Sequence, residues 1–505
     1  MSTTDSTNAY EKYDFKRDIY FQTEYVLENC NAVFLLGARK TGKTVCLKQL
    51  AETLPDAYYY DIKSMNDDDA DDLRDEIVSS IQKNERRTYL VDETTYWLLP
   101  EKAISKIANA YTDCQNTNTR VVFTGSQSVA LKAWASRAFG GNAKFINVDF
   151  LSYPEWLEYK GLKEVSEETY NRFLLEVRGF YKNFVSLDEY LQGCLDETIL
   201  SNYATSNIVY DNNCHLLTVD ILKNILYSTL VAQSDRPSLQ NFFDREYLFR
   251  KIRSSLKEAY RAVGSDTVRE RIDSIFAERL TSYSSLDFET LKQGFIFLHK
   301  CGLVTLTYVS SETQNFENIV NVPLDLCKWD ENKINNKDVL FSRVNACIKY
   351  PMFYAEILKE VLGEYFPSAI KGDILGGIVE CHTRGLLPLN DSYEYHKKDD
   401  GGEREVDYVN FAKALAVEIA VRNKGGYEIA LDDLPDYFEK ILITKDQNFT
   451  QKNGLKRILY YQFIYELSEH ISHPHILGNN ITQEHGQLPK KVQKKNEPTS
   501  NFEER

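Results

Sequence analysis

The sequence predicts an α/β fold that opens on a mostly parallel sheet, and three observations carry that prediction. The apolar run Ala32-Val33-Phe34-Leu35-Leu36 leads straight into Gly37-Ala38-Arg39-Lys40-Thr41-Gly42-Lys43-Thr44, which fits G-x-x-x-x-G-K-T and is followed by a helical pattern. Two further apolar runs, 88–92 and 120–124, end in acidic or polar residues, as strands do where a parallel sheet presents chemistry at its C-terminal edge. Strand-like and helix-like segments alternate, with 57–61 supplying another strand, and such alternation builds parallel sheets.

The first element fixes the chemistry expected of the domain. Glycines let the backbone wrap phosphates, while N–H groups and the start of the following helix supply partial positive charge. Lys43 then reaches the β- and γ-phosphates and Thr44 ligates Mg²⁺, so Gly37, Ala38, Arg39, Lys40, Thr41, Gly42, Lys43, Thr44 and Val45 form the expected ATP-binding stretch. The second element, Thr88-Tyr89-Leu90-Val91-Asp92-Glu93, delivers two carboxylates toward that loop. Asp92 is suited to hold Mg²⁺ through water, and Glu93 to polarise the water that attacks the γ-phosphate. For an Asp-Glu pair alone a strand running into a capped helix would be the favoured reading, and the phosphate loop ahead of it turns the balance to the chemical one. The third, Arg120-Val121-Val122-Phe123-Thr124-Gly125-Ser126-Gln127-Ser128, offers Thr124 or Ser126 as a γ-phosphate sensor, against a plain Ser/Gly turn. The acidic cluster Asp67, Asp68, Asp69, Asp71, Asp72, Asp75 and Glu76 lacks the alternate spacing and central Gly of a calcium loop, and reads as a solvated helix start.

Length and composition bound the rest. A chain of 505 residues exceeds one ordinary core and suggests about three domains. With 43% hydrophobic and 27% charged residues it has globular composition. No run approaches the roughly 18 apolar residues of a membrane span, and the polar start lacks a signal peptide's basic and apolar regions, so a cytoplasmic protein without a membrane partner is expected. Nine cysteines without a C-x-x-C pair argue against a zinc ribbon or a disulfide framework. A net charge of −15 weighs against a protein wrapped along nucleic acid, while leaving room for a local basic face.

Together the loop, the Tyr-Leu-Val-Asp-Glu strand, the Val-Val-Phe-Thr-Gly-Ser-Gln-Ser segment and Asn147-Val148-Asp149-Phe150-Leu151-Ser152-Tyr153-Pro154-Glu155-Trp156 resemble the prokaryotic AAA-type P-loop ATPases whose C-terminal half carries a restriction-endonuclease-like domain. That resemblance implies a P-loop parallel-sheet ATPase domain over 1–150. In the family a Gly-Arg pair follows the sensor strand; here Ser136 precedes Arg137, which stands either as an arginine finger or as a surface arginine.

Beyond the first domain, 151–212 reads as a helical lid rich in Tyr, Leu and Glu, and further helices are expected over 217–232, 246–262 and 268–280. Residues 286–308 read as a capped helix, a Gly stop and an alternating strand, the sequence shape of a winged-helix-like region, assigned to 213–335. Its helix offers Lys292, Gln293 and Lys300 among apolar neighbours, which favours protein contact over DNA binding, and His299 reads as a partly buried helix residue.

For 336–476 the resemblance implies an α/β endonuclease-like domain. Glu380 on a helix, Asp407 beginning a strand and Glu418 inside the next strand match its metal-binding carboxylates as a second metal site. Active members read Glu-x-Lys on that last strand, and this chain has Ala420 where the lysine belongs. Arg422 lies on the same strand face and Lys424 further along, so a migrated cation is conceivable, though arginine stays protonated and makes a poor base. A degenerate domain kept for binding or assembly follows. His470, His473 and His475 come with no carboxylate or thiol pattern and Pro474 signals a loop, and 477–505, with Lys490, Lys491, Lys494 and Lys495, reads as a disordered tail.

The functional expectation is an ATP-binding and ATP-hydrolysing molecular switch or motor that couples nucleotide state to domain rearrangement or assembly, with ATP and Mg²⁺ as ligands and a homo-oligomer or protein partner. The alternatives are an ATP-regulated, metal-dependent DNA nuclease or DNA-binding ATPase, and a scaffold that binds ATP without hydrolysing it.

Overall fold

The computed structural model describes residues 15–114, 116–177, 186–200, 217–233, 286–310, 320–323, 344–370, 372–387, 392–399, 402–410, 414–421, 436–445 and 455–472, with isolated residues between 266 and 278 and at 431, 432 and 434. The expected helix over 246–262, Arg422, Lys424, His473, His475 and the tail from 477 lie outside the described residues.

The N-terminal layer is one five-stranded sheet with β1 (Ala32–Leu36), β2 (Ala57–Asp61), β3 (Thr88–Asp92), β4 (Arg120–Thr124) and β5 (Lys144–Asn147) in the order β2-β3-β4-β1-β5. Every pairing is parallel. The sequence explains the order. β1 and β3 are buried along their whole length and β4 nearly so, as continuous apolar runs require in a sheet covered on both faces. β2 and β5 carry Tyr58, Lys144 and Asn147 toward solvent and form the edges.

Helices cover both faces: α1 (Asp18–Asn29), α2 (Lys43–Thr53), α3 (Asp67–Gln82), α4 (Pro100–Asp113) and α5 (Ser128–Phe139). α4 buries Ala103, Ile104, Ile107 and Ala108, one stripe at helical spacing, and begins with Pro100, whose missing N–H costs nothing there. α3 begins with Asp67, Asp68 and Asp69 behind the cap Asn66, whose side chain accepts from the Asp69 N–H at 2.8 Å, so the acidic cluster is a helix start. Farther along, Asp71 and Asp75 pair with Arg74.

α6 (Tyr153–Lys160) opens on a capping box between Ser152 and Glu155, and α7 (Glu167–Glu176) on one between Ser166 and Thr169. Helices Leu187–Leu200 and Val219–Gln233 follow. Helix Phe288–Lys300 is capped by Asp287, which accepts from the Thr290 N–H at 2.9 Å, and leads into β6 (Val304–Ser310), β7 (Val320–Pro323) and β8 (Val344–Ile348), an antiparallel sheet in the order β7-β6-β8. Lys292 and Gln293 are buried against Glu289, and the His299 ring nitrogen sits 2.9 Å from the Val304 carbonyl, closing the turn between helix and strand.

A second five-stranded sheet, β13-β12-β11-β10-β9, comprises β9 (Ser392–Asp399), β10 (Gly402–Asn410), β11 (Leu415–Ala420), β12 (Glu439–Thr444) and β13 (Leu455–Leu459). Pairings β9/β10 and β10/β11 are antiparallel, and β11/β12 and β12/β13 are parallel. Helices Pro351–Leu362 and Gly372–Leu386 precede it and Tyr460–Ser472 follows.

One continuous cluster of buried apolar side chains runs from Phe34 and Phe123 through Tyr153, Phe173, Leu226 and Phe353 to Val417 and Ile464. No helix among the described residues is long and apolar enough to cross a membrane, and the described cysteines are free thiols.

Candidate functional site

The phosphate loop lies where β1 gives way to α2, and its shape depends on two left-handed residues. Lys40 has φ 63° and Gly42 φ 95°, the latter serving as the N-cap of α2 with no side chain to satisfy the helix end. The first bond of α2 runs from the Cys46 N–H to the Gly42 carbonyl at 3.0 Å, so the N–H groups of Lys43, Thr44 and Val45 precede it and stay open to an anion. Gly37 admits no side chain, because a Cβ there would collide with the Val148 carbonyl. Its backbone is held by Ser128 at the start of α5: Ser128 Oγ accepts from the Gly37 N–H and donates to the Gly37 carbonyl, both at 2.7 Å.

Lys43 is buried and folds back on its own loop, donating to the Gly37 carbonyl at 3.0 Å and the Ala38 carbonyl at 2.7 Å. Burial holds its ammonium below the ordinary lysine range, against the opposing pull of Glu93 and Asp92. Arg39 points the other way and donates to the Gly193 carbonyl, while the Tyr190 hydroxyl donates to the Arg39 carbonyl at 3.2 Å. Helix Leu187–Leu200 thus sits directly on the loop.

Because β4 lies between β1 and β3, Thr124 stands between the phosphate loop and the two acids. Asp92 ends β3 almost fully buried and is held by three donors: the Thr44 hydroxyl, the Tyr59 hydroxyl at 2.9 Å and the Glu93 N–H at 3.0 Å. Burial still raises its carboxyl above the usual range. Glu93 has φ 49°, a left-handed backbone that costs a non-glycine residue about 1 kcal/mol and recurs at functional sites. Its carboxylate is clamped by Ser126, through the hydroxyl at 2.7 Å and the N–H at 3.1 Å. Thr124 is fully buried; its carbonyl accepts from the Thr94 hydroxyl at 2.9 Å, while its own Oγ1 has no protein partner among the described residues.

The structure therefore brings Lys43, Thr44, Asp92, Glu93, Thr124 and Ser126 to one edge of one sheet. Open N–H groups, a buried ammonium, a hydroxyl beside a carboxylate and an orphaned hydroxyl suit a nucleotide triphosphate and its Mg²⁺. Arg137 lies apart, in the last turn of α5, half-exposed and paired with Glu101 at 3.0 Å. Tyr59 and Ser128 were not expected. A tyrosine on an edge strand and a serine beyond a turn carry no motif, and only the register of β2 against β3 and the turn after β4 bring them in.

Arg17, just before α1, is also missing from the sequence reading. It is buried and makes a two-point contact with Glu155, at 3.0 and 2.8 Å, beside the loop. Burial opposes both charges, but their mutual attraction, together with Asp18 and Asp149 on the guanidinium and the Ser152 and Asp18 N–H groups on the carboxylate, offsets it: the guanidinium stays above, and the carboxyl below, its ordinary range.

In the second sheet Asp407 and Glu418 meet across β10 and β11. Glu418 accepts from the Asp407 N–H at 3.2 Å, and Asp407 accepts from the Ile419 N–H at 2.6 Å. Asp407 falls well inside β10 rather than at a strand start. The side of β11 that carries Glu418 also carries Ala416 and Ala420, which pack with Leu442. Glu380 rises from helix Gly372–Leu386, whose Ile374, Ile378 and Val379 join the core containing Val417 and Ile419 on the other face. Among the described residues no three His, Cys, Asp or Glu side chains are grouped to hold a metal ion.

Residues 29–157 match a family model described as an AAA domain, a stretch that holds the phosphate loop and all five strands of the N-terminal sheet. Similar solved structures include the replication initiator DnaA bound to AMPPCP and single-stranded DNA, at 15% identity over 54% of this chain and 95% of that one, with a TM-score of 0.25. AMPPCP-bound DnaA from Aquifex aeolicus matches at 14% identity over 53% and 94%, with a TM-score of 0.23. The Aeropyrum pernix ORC1 protein in complex with DNA matches at 12% identity over 70% and 93%, also with a TM-score of 0.23. No curated protein matches the chain.

Proposed function

We propose that the protein hydrolyses ATP and uses the cycle as a molecular switch or motor, coupling nucleotide state to rearrangement or assembly of its remaining domains. The observation that carries this reading is the convergence of the open N–H groups of α2, Lys43 and Thr44 with Asp92 and a clamped Glu93 at one sheet edge. The loop N–H groups and Lys43 bind the phosphates. Thr44 and Asp92 would hold Mg²⁺, which would supply neutralising charge to the phosphates. Glu93, fixed by Ser126, orients water and accepts its proton. Thr124, with its orphaned hydroxyl, reports the γ-phosphate.

In this reading residues 1–150 form the ATPase domain, 151–212 a lid, 213–335 a winged-helix-like region and 336–476 an endonuclease-like domain acting in binding or assembly. Helix Leu187–Leu200, bonded to Arg39 through the Gly193 carbonyl and the Tyr190 hydroxyl, is the element best placed to sense the loop. Arg137 would complete a neighbouring subunit's site in a homo-oligomer.

Phosphate release by the purified protein, with and without DNA and at known mass in solution, tests the proposal. Mg²⁺-dependent release is expected. Nucleotide binding without release would leave an ATP-bound scaffold instead. DNA cleavage with Mg²⁺ or Mn²⁺ that disappears in Asp407→Ala would make the C-terminal domain a nuclease.

A further inference from the structure

Arg17 uses its whole donor set. Nε and one Nη2 proton go to the two oxygens of Glu155, the other Nη2 proton to the Phe150 carbonyl at 3.1 Å, and Nη1 to the Asp149 carbonyl at 3.1 Å and the Thr41 carbonyl at 2.6 Å. Five donors thus meet five acceptors, which only a guanidinium can do. Glu155 is equally saturated, since Oε1 also accepts from the Asp18 N–H at 3.1 Å and Oε2 from the Ser152 N–H at 2.9 Å.

The contact that matters for the loop is the one to Thr41. In a trans peptide the carbonyl and the following N–H point in opposite directions. A Thr41 carbonyl drawn to Arg17 therefore turns the Gly42 N–H away from the guanidinium. The guanidinium lies against Gly42 itself, 3.6 Å from where a Cβ would be. Thr41 cannot relax independently, because its hydroxyl donates to the Ala38 carbonyl at 2.9 Å.

We infer that the Arg17–Glu155 pair is a brace that fixes the Thr41–Gly42 peptide in its phosphate-accepting orientation, making Arg17 a positioning residue for nucleotide binding. The inference rests on the nucleotide-site reading above. It also gives that site an outside connection. Glu155 belongs to α6, whose Tyr153 packs edge-on against Tyr170 and against Tyr465 of helix Tyr460–Ser472, so the brace joins the loop to the last helix among the described residues.

The test compares the full-length wild type with Arg17→Lys and with the apolar pair Arg17→Met/Glu155→Leu. Thermal unfolding, MgATP affinity and phosphate release are measured for each. Replacing the ion pair by apolar residues leaves no buried charge unpaired, but it frees the Thr41, Asp149 and Phe150 carbonyls and the Asp18 and Ser152 N–H groups, so some loss of stability accompanies the loss of the hold on Thr41. The expected result is a folded double variant whose MgATP affinity falls roughly ten- to a hundredfold, with KM moving more than kcat. Arg17→Lys keeps the charge beside Glu155 but cannot supply five fixed donors, and is expected to lose affinity while remaining folded. It decides the matter if the double variant does not fold. Wild-type affinity in either folded variant overturns the brace. A wild-type protein that binds no MgATP sinks the nucleotide reading itself, a separate outcome visible before any variant is made.

Discussion

Replacing Glu93 by Gln tests the hydrolytic reading most directly, because the site isolates what the substitution removes. Gln has the same shape and keeps one oxygen to accept from the Ser126 hydroxyl, which now bonds Glu93 at 2.7 Å. It loses the negative charge and the second acceptor, which takes the Ser126 N–H at 3.1 Å. The structural loss is one charge-assisted hydrogen bond, about 1.5–3 kcal/mol. The catalytic loss is that of a positioned base, about 10²–10⁴ in rate, or about 3–5 kcal/mol on the barrier. Steady-state phosphate release at saturating MgATP, alongside direct nucleotide binding, separates the two effects. Expected are a kcat lowered by about two to four orders of magnitude and an affinity within about threefold of wild type. An unchanged kcat removes Glu93 from the chemistry. Ser126→Ala supplies the companion measurement: with the clamp loosened, kcat should fall roughly tenfold at constant KM. A rise in KM with kcat intact would make Ser126 a phosphate contact instead.

Lys43→Ala should abolish measurable MgATP binding while leaving the fold intact by circular dichroism, since the ammonium bonds only carbonyls of its own loop. Tyr59→Phe removes one of the three donors on Asp92, and the Mg²⁺ concentration giving half-maximal activity should rise several-fold, read from a Mg²⁺ titration of phosphate release. His382 is buried beside Tyr170 and Phe173, with its Nδ1 2.9 Å from the Tyr170 hydroxyl, and is pushed down to about 3 by burial. An unfolded histidine titrates near ~6.5, so the unfolded chain binds the extra proton between those values and stability falls as pH drops through that window. The slope is about 1.4 kcal/mol per pH unit, so His382→Phe should narrow the stability difference between pH 6.5 and 5 by about 2 kcal/mol in urea titrations. Equal pH dependence in the two proteins would refute a buried neutral histidine.

The nucleotide site was legible in the sequence wherever one short segment carries both geometry and chemistry. The run from Gly37 to Thr44 sets a left-handed turn, an open helix end and a lysine within eight letters, and an apolar strand ending in Asp92-Glu93 points its acids to one sheet edge by periodicity alone. What escaped depends on register or on distant closure. Tyr59 reaches Asp92 because β2 pairs with β3. Ser128 reaches Gly37 only because β4 is the neighbour of β1. The Ser152/Glu155 capping box has a readable pattern, but its partner Arg17 lies far up the chain, and no local signal announces that a charged residue there is buried. In the C-terminal half the carboxylates were readable by resemblance. Their faces were not, because which side of β11 a helix covers follows from packing, and packing put the helix of Glu380 against Val417 and Ile419.

The inward fold of Lys43 has a thermodynamic corollary. Its ammonium already holds two backbone oxygens in the free protein, so the loop acts as its own intramolecular competitor. An incoming triphosphate displaces those carbonyls rather than filling an idle cation, and the affinity measured is a difference between two sets of contacts. A ligand too short to reach the ammonium would leave the internal bonds closed. In the nucleotide reading proposed above, selection against anions with neither a β- nor a γ-phosphate would thereby be built into the ground state of the loop.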